Sequence, residues 1–303
     1  MKILKTLFKN FRYLKNRYLL FKTQPLTKKK PLYTLLKYVY INLQLYFFKK
    51  EISFVFLDKI NVKAVKGDGI IGNYHSILEE ANDSVFLLHF LNQTDVFLDV
   101  GANVGHYTLL AAVIKQSKVI AIEPIPTTYT RLIQNITINN IQDRVTTHNI
   151  GLSNIPGELA FSNNQFTTNR VNNSGLGIKV DVKTIDELFL EKKINAIKID
   201  VEGFEWFVLN GAKETLKMKD LNVIIIELND SGIEYGINDE QIVTFLRSYG
   251  FFQYEYDIFS RKLTPIKSKN TKQFNTIFIK DLLFVTNKIN NSPKIQITRN
   301  LNL

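Results

Sequence analysis

The sequence predicts an α/β fold built on a mostly parallel sheet, and residues 95–110 give the clearest evidence for it. Val96–Val100 is a short, mostly apolar run of the kind found in buried parallel strands. Gly101 and Gly105 then bracket a turn, and residues 107–114 return to the apolar spacing of a helix packed on a sheet. Similar short apolar runs recur between helical or polar segments, at residues 119–122, 196–199 and 223–226, and residues 145–150 are predicted to form a further strand.

This strand, glycine turn and helix have the geometry of a nucleotide-binding loop. Glycine adopts backbone angles closed to other residues and lets a ligand approach the main chain, while the helix start offers unpaired N–H groups. Asp99 at the strand end would repel a pyrophosphate, but it suits a ligand that carries an ammonium group or hydroxyls. The turn therefore favours S-adenosylmethionine over a dinucleotide, although such turns also occur in α/β proteins that bind no ligand.

Composition and charge exclude several kinds of site. The chain has 303 residues and no cysteine, so disulfides, thiolate metal sites and cysteine nucleophiles are absent. The net charge of +11 is an N-terminal property: residues 1–50 hold 13 Lys and Arg and no acidic residue, whereas the other 253 residues carry 26 basic and 28 acidic side chains. A nucleic-acid enzyme would be expected to show basic charge around its catalytic domain too, so this distribution disfavours a nucleic-acid target.

Residues 1–50 are predicted to form a basic helical extension. Apolar residues within 4–21 recur at spacings of three and four, which places them on one helical face flanked by lysine and arginine. A second, aromatic-rich segment at 32–48 is interrupted by polar side chains and falls short of a spanning helix. Peripheral binding to an anionic membrane and packing on the protein's own domain both remain open for the extension. We expect a cytoplasmic protein, with association at the inner face of the membrane as the open alternative.

Further acidic residues stand at strand ends and are expected to face the same ligand. Glu123 ends the second strand, eighteen residues after Gly105, where a carboxylate can accept hydrogen bonds from the two ribose hydroxyls of a nucleoside. Asp200 ends the fourth strand, and in a doubly wound sheet the carboxyl ends of the strands line one crevice. Asp200 or Glu202 is therefore predicted to act as a general base on an acceptor hydroxyl. The alternative for Glu202 and Glu205 is that they complement the positive end of the following helix.

Two further features of the sequence concern a divalent cation and the acceptor. Asp200, Glu227 and Asn229 offer oxygen ligands suited to a divalent cation, but their spacing is not diagnostic and no metal site is predicted. Residues 162–177 are rich in Asn, Ser, Thr and Gly and form the most loop-like part of the domain. We expect this loop to select the acceptor, because loops held by a rigid sheet commonly carry specificity.

Six motifs together resemble the FkbM family of S-adenosylmethionine-dependent methyltransferases. They run from about residue 83 to residue 280 and comprise DVGANVGHYTL, AIEP, VKTIDEL, IKIDVEGFE, IIIEL and NTIFIKD. The resemblance implies a Rossmann-like class I methyltransferase fold with a seven-stranded, mostly parallel sheet and an antiparallel closing strand. By position it implies that the cofactor-binding residues are Asp99, Gly101, Asn103, Gly105 and Glu123. Asp200 and Glu202 match the family's D-x-E-G-x-E element and are the implied catalytic pair.

This resemblance also implies methyl transfer from the sulfonium cofactor to a hydroxyl of a glycan, a lipid-linked saccharide or a natural product. The reaction would be an in-line displacement, in which a carboxylate helps to remove the hydroxyl proton. A different function stays open: a catalytically silent methyltransferase fold that serves as a binding module at the membrane surface. The expected organisation is a helical extension at 1–50, a methyltransferase domain at 51–286 with its core at 83–280, and a flexible tail at 287–303.

Overall fold

The computed structural model of this chain describes residues 2–48, 50–162, 170–172 and 175–303. Its strands are β1 (Glu51–Phe56), β2 (Ile60–Val65), β3 (Val96–Val100), β4 (Lys118–Ile122), β5 (Val145–His148), β6 (Gly151–Leu152), β7 (Gly157–Phe161), β8 (Ile178–Lys183), β9 (Ala196–Ile199), β10 (Val223–Glu227), β11 (Phe252–Asp257), β12 (Lys262–Pro265), β13 (Asn275–Ile279), β14 (Gln296–Thr298) and β15 (Leu301–Asn302).

The α-helices are α1 (Lys2–Thr23), α2 (Pro31–Leu43), α3 (Gly72–Ser76), α4 (Ala81–Phe90), α5 (His106–Leu109), α6 (Pro126–Ile138), α7 (Ile185–Phe189), α8 (Glu205–Asn210), α9 (Asp239–Ser248) and α10 (Leu282–Asn290). π-helical turns continue α2 through Gln44–Phe48 and α5 through Leu110–Ile114. Short 3₁₀ turns lie at Gly69–Ile71, Thr215–Lys217 and Ser231–Tyr235.

The central sheet has eight strands in the order β12-β11-β13-β10-β9-β3-β4-β5. The five strands from β10 to β5 run parallel, and β13 pairs antiparallel with β10. The predicted mostly parallel sheet with an antiparallel closing strand is therefore confirmed. The sheet has one strand more than predicted because β12 adds to β11 as the second arm of a hairpin.

Helices cover both faces of the sheet, so the inner strands are buried on both sides. Successive strand residues point to opposite faces, and Phe97 belongs to one hydrophobic core whereas Leu98 belongs to the other. The first core is completed by α4, α5, α6 and α10, and the second by α7, α8 and α9. Burying one such side chain contributes about 1.5–3 kcal/mol, which explains why the strands read as continuous apolar runs.

The N-terminal helices pack on the domain. Phe21 of α1 is only 1% exposed, and Ile41 of α2 lies in the first hydrophobic core. The Phe21 and Tyr38 rings lie 6.2 Å apart, and both contact His75 of α3. Within the described residues, no helix combines the length and the apolar character needed to cross a bilayer.

The C-terminal segment differs from the flexible tail predicted for residues 287–303. It contains the end of α10 and the β14–β15 hairpin, and Ile295 and Leu303 exchange backbone hydrogen bonds of 2.9 and 2.6 Å. Ile295, Ile297 and Leu303 are buried in the first core. Lys288 also forms an ion pair with Asp95 at 2.6 Å. The prediction followed the polar composition of the segment, but its few apolar residues are sufficient to pack it on the domain.

Candidate active site

A cavity of about 270 Å³ lies at the carboxyl edge of the parallel strands. Ligands of open α/β sheets bind at this edge, since the strand ends and the loops that follow them meet there. Six of the seven residues predicted for the site line this cavity: Asp99, Gly101, Asn103, Glu123, Asp200 and Glu202. The seventh, Gly105, is not part of the lining and instead precedes the first residue of α5.

The turn after β3 needs glycine because two backbones approach closely there. Gly101 has φ +77°, and a Cβ at this position would lie 1.8 Å from the carbonyl oxygen of Asp200. Gly105 has φ +102°, and its Cβ would come within 2.9 Å of Leu132 Cδ1. Asn103 also adopts a left-handed conformation, with φ +51°, which asparagine tolerates better than most residues. Gly101 therefore allows the ends of β3 and β9 to approach each other at the cavity wall, whereas Gly105 allows the start of α5 to approach α6.

Asp99 and Glu123 are buried carboxylates on the side of the cavity formed by β3 and β4. Asp99 accepts a hydrogen bond of 2.6 Å from the Thr108 hydroxyl. Glu123 accepts backbone N–H bonds of 2.9 Å from Asn103 and from Ile125, one on each oxygen. Burial raises the pKa of Asp99 to about 6 and that of Glu123 to about 7. A carboxylate offers about four acceptor positions, so Glu123 can hold both loops and still accept hydrogen bonds from a ligand.

Lys198, which is not among the predicted site residues, is a buried cation in this cavity. Its side chain is 1% exposed, and Nζ lies 3.0 Å from Asp200 Oδ2 and 5.5 Å from the centre of the Tyr107 ring. Burial alone would lower the Lys198 pKa, but the charges of Asp200, Glu80 and Glu227 raise it above its ordinary value. Lys198 is therefore charged. The sequence feature that points to Lys198 is its position inside an otherwise apolar parallel strand, where an unpaired charge would be costly.

Three carboxylates meet beside Lys198. Oxygens of Asp200, Glu202 and Glu227 all lie within 4.8 Å of one another. Burial, followed by the charge of Asp200, raises the pKa of Glu202 to about 7 and that of Glu227 to about 10. Such a cluster has the oxygen ligands that a divalent cation prefers, but Lys198 already offsets part of its charge. Asn229, considered with this group from the sequence, instead accepts the Ser231 N–H at 2.9 Å.

Glu205 has a structural role in the turn before α8. Its Oε1 accepts N–H bonds of 3.1 Å from Val201 and Gly203, and the side chain is buried. This agrees with the non-catalytic alternative for Glu205. The same turn holds Glu202 in a left-handed conformation, with φ +55°, and so presents the Glu202 side chain to the cavity.

One wall of the cavity comes from residues outside the predicted site. Glu79 and Glu80 precede α4 and line the cavity, and the Tyr107 hydroxyl donates to Glu80 Oε2 at 2.7 Å. Burial, followed by the charge of Glu80, raises the pKa of Glu79 to about 7. Nothing local distinguishes these two glutamates from a solvated acidic pair. Their position depends on how α3 and α4 pack on the sheet.

The loop predicted to select the acceptor is described only in part. Residues 163–169 and 173–174, which fall within the predicted 162–177 range, lie outside the described residues. Val171 lines the cavity, and its carbonyl accepts the Tyr235 hydroxyl at 2.7 Å. Arg170 forms a 2.6 Å ion pair with Glu234. The described part of the loop is therefore attached to the 3₁₀ turn Ser231–Tyr235.

The charges of the lining fit a cationic, hydroxyl-bearing ligand. Among the described lining residues, seven carry a carboxyl group and Lys198 is the only lysine or arginine. Of these carboxyl groups, Glu227 stays protonated near neutral pH, because its pKa is raised to about 10. His106 stays neutral, because burial lowers its pKa to about 3. A polyphosphate would be repelled here, whereas the ammonium, sulfonium and ribose hydroxyls of S-adenosylmethionine would find acceptors. The residues present therefore fit this cofactor.

Comparison with known proteins places the chain among methyltransferases. The sequence profile of the methyltransferase FkbM domain matches residues 99–252. The hexuronic acid methyltransferase AglP of Haloferax volcanii is 30% identical over 148 residues, which cover 47% of this chain and 59% of that protein. Methyltransferase 1 of Beauveria bassiana is 27% identical over 185 residues, which cover 51% of this chain and 71% of that protein.

The chain also shows similarity to a solved structure. The methyltransferase FkbM of Methylobacillus flagellatus is 16% identical and superposes with a TM-score of 0.44, covering 69% of this chain and 52% of that one. The family profile spans about half of the chain, from the end of β3 to the start of β11. The protein belongs to the FkbM family of S-adenosylmethionine-dependent methyltransferases.

Proposed function

We propose that the protein transfers a methyl group from S-adenosylmethionine to a hydroxyl of a glycan, a lipid-linked saccharide or a natural product. The observation that carries this proposal is the convergence of Asp99, Glu123 and Asp200, from three different strand ends, on one cavity. Family membership supports the reaction class. A recessed cavity of this kind can bind either a small acceptor or one end of a longer one.

Asp99 and Glu123 would hold the cofactor. Glu123 retains acceptor positions beyond those used by Asn103 and Ile125, which supports hydrogen bonding to ribose hydroxyls. Asp99 lies in the same lining and supplies the negative charge suited to an ammonium group. When bound, S-adenosylmethionine supplies an electrophilic methyl group on a positively charged sulfur.

Asp200 and Glu202 would act on the acceptor. The acceptor oxygen forms a bond to the methyl carbon as the carbon–sulfur bond breaks, and the hydroxyl proton passes to a carboxylate. The pKa of Glu202, raised to about 7, suits proton uptake near neutral pH. Asp200, held at 3.0 Å by Lys198, has a fixed orientation and can align the hydroxyl.

The acidic lining favours a neutral or cationic acceptor. Besides Glu227, which its raised pKa of about 10 keeps protonated near neutral pH, six acidic side chains surround a space in which Lys198 is the lysine or arginine among the described lining residues, so an anionic acceptor would meet repulsion. The Haloferax relative is named for hexuronic acid. For this chain we propose a saccharide hydroxyl, and we treat transfer to a uronic acid as the second candidate, supported by that relative alone.

The test measures methyl incorporation from labelled S-adenosylmethionine into neutral, amino and uronic-acid saccharides, free and lipid-linked. We expect Asp200→Asn to lower turnover by about 10²–10⁴-fold with little change in the cofactor Kd. Asp143→Asn, at an exposed position, is the matched control. Full activity of Asp200→Asn would remove Asp200 from the mechanism. Cofactor binding without methyl transfer to any of these acceptors would instead favour the silent binding module.

A further inference from the structure

The second helix of the N-terminal extension has two apolar faces. Thr34, Ile41 and Leu45 point inward and are at most 7% exposed. The opposite face, here called the α2 outer face, consists of side chains at spacings of mostly three or four residues that are 48–67% exposed: Leu32, Tyr33, Leu36, Tyr40, Leu43, Tyr46 and Phe47. The inner face packs α2 on the domain. This packing does not explain why the exposed outer face is also apolar.

This concentration of exposed apolar side chains is local. Ten of the 21 large apolar side chains that are exposed in the described part of the chain lie between residues 13 and 47. Single exposed leucines are common on protein surfaces, whereas a continuous apolar stripe indicates an interaction surface. The α2 outer face, with seven such residues on about four helical turns, meets that description.

Positive charge borders the α2 outer face. Lys28, Lys29 and Lys30 are exposed and immediately precede the helix. Lys66 Nζ lies 4.5 Å from the centre of the Tyr46 ring, and Lys37 Nζ lies 5.8 Å from that of Tyr33. The first acidic residue of the chain is Glu51. None of the ion pairs formed by the described residues uses a lysine or arginine from 12–48. Arg17 is engaged by the Tyr13 and Tyr38 side chains, whereas the exposed Lys28, Lys29 and Lys30 can reach an anionic partner.

We propose that the α2 outer face docks on the surface of an anionic lipid bilayer, with α2 lying parallel to the membrane. The leucines would enter the acyl region, the tyrosine rings would sit at headgroup level, and the lysines would contact acidic headgroups. A second copy of the chain is a poorer partner, because two such faces would bring their lysine borders together. A nucleic acid would leave the leucines without an apolar environment.

The docking helix is attached to the cavity wall. Tyr38 of α2 contacts the His75 ring at a centroid distance of 5.2 Å. In the same helix α3, Asn73 Oδ1 accepts the backbone N–H of Glu79, a cavity-lining residue, at 2.7 Å. Docking would therefore fix the cavity relative to the bilayer and give access to a lipid-linked acceptor. That last step rests on the proposed function, whereas docking itself does not.

Vesicle sedimentation of the full chain tests the proposal without any methyl-transfer measurement. We expect sedimentation with phosphatidylcholine vesicles that contain phosphatidylserine and much weaker binding to pure phosphatidylcholine. The double variant Leu36→Asp, Tyr40→Asp should lose at least roughly tenfold in affinity for the anionic vesicles. Leu283→Asp, which places the same charge on an exposed leucine of α10, should bind like the wild type.

A second variant keeps the test independent of helix folding. Neutralising the three lysines before α2, as Lys28→Gln, Lys29→Gln, Lys30→Gln, should weaken anionic-vesicle binding by roughly 100-fold and flatten its salt dependence. Wild-type affinity in both variants would overturn the proposal. So would a dimer, seen by sedimentation velocity without vesicles, that Leu36→Asp, Tyr40→Asp dissociates while vesicle binding is unchanged. The second copy would then be the occupant.

Discussion

Lys198 Nζ lies 3.0 Å from Asp200 Oδ2, so the buried cation of the cavity is paired with the carboxylate predicted to act in catalysis. Glu80 and Glu227 also raise the pKa of this lysine. Lys198 can act without contacting a substrate, because its charge lowers the pKa of Glu80, Glu202 and Glu227 and its ammonium group holds the Asp200 side chain in place. We regard it as a positioning residue.

Replacing Lys198 with methionine should leave these carboxylates without a buried counter-charge. The pKa values of Glu80, Glu202 and Glu227 should then rise, because the Lys198 charge lowers them in the wild type. The rising limb of the pH–rate profile should therefore move to higher pH, and turnover at neutral pH should fall. Breaking a buried ion pair from one side also costs about 3–5 kcal/mol of stability. Lys217→Met, at an exposed lysine, is the control. An unchanged pH profile in a folded Lys198→Met variant would contradict the positioning role.

The pH dependence of turnover should report Glu202. A general base must be ionised, and burial together with the charge of Asp200 raises the Glu202 pKa to about 7. The rate should therefore increase with pH through about 7. Glu202→Gln should abolish this limb and lower turnover by about 10²–10⁴-fold, whereas Glu240→Gln, on the exposed side of α9, should keep it. Retention of the limb by Glu202→Gln would assign the base to another group.

Substitutions at two glycines with nearly the same φ allow the cost of a positive φ to be measured separately from the cost of a steric clash. Gly101 and Gly236 have φ values of +77° and +78°, but only at Gly101 would a Cβ meet another backbone atom, Asp200 O at 1.8 Å. Gly236→Ala should cost about 1 kcal/mol, and Gly101→Ala at least ~3 kcal/mol. Chemical denaturation measures both. Equal losses would show that the close approach of β3 and β9 relaxes easily.

Glu123 is expected to contribute directly to cofactor affinity. Removing a charged hydrogen-bond partner costs about 1.5–3 kcal/mol, so Glu123→Ala should weaken S-adenosylmethionine binding by roughly 10–100-fold in calorimetry. Glu123→Gln keeps one acceptor oxygen and should have an intermediate affinity. Glu158→Ala, on an exposed strand residue, serves as the control. Unchanged affinity in Glu123→Ala would leave Glu123 with only its loop-holding role.

Asp83 should make the fold less stable as pH rises. It is buried on α4, Oδ1 has no hydrogen-bond partner among the described residues, and burial followed by the charge of Glu80 raises its pKa to about 8. Between the ordinary Asp pKa and about 8, the folded state holds a proton that the unfolded state has lost. This group therefore removes about 1.4 kcal/mol of stability per pH unit across that window.

Asp83→Asn tests this linkage by urea denaturation at several pH values. The variant lacks the titrating proton, so its free energy of unfolding should increase relative to that of the wild type from pH 5 to pH 8. Asp281→Asn, whose wild-type side chain is exposed and accepts the Phe284 N–H at the start of α10, provides the control. A constant difference between Asp83→Asn and wild type would mean that Asp83 is already ionised in the folded protein.

The sequence by itself determined the sheet and much of the cavity. A parallel strand buried on both faces is mostly apolar, so Val96–Val100 and similar strands can be recognised from the sequence alone. The strand-end acids Asp99, Glu123 and Asp200 could be assigned to one site because parallel strands share a carboxyl edge. Both inferences depend on local pattern and on a general rule of topology.

Only the tertiary structure decided which other groups join that site. Lys198 lies beside Asp99 because of the register between β9 and β3, and Glu80 reaches the same cavity because of the packing of α4. The apolar stripe of α2 and the docked C-terminal hairpin are also products of packing, since an apolar residue of a helix or hairpin is buried or exposed according to what covers it. Register and coverage depend on residues far apart in the chain, and local sequence patterns do not encode them.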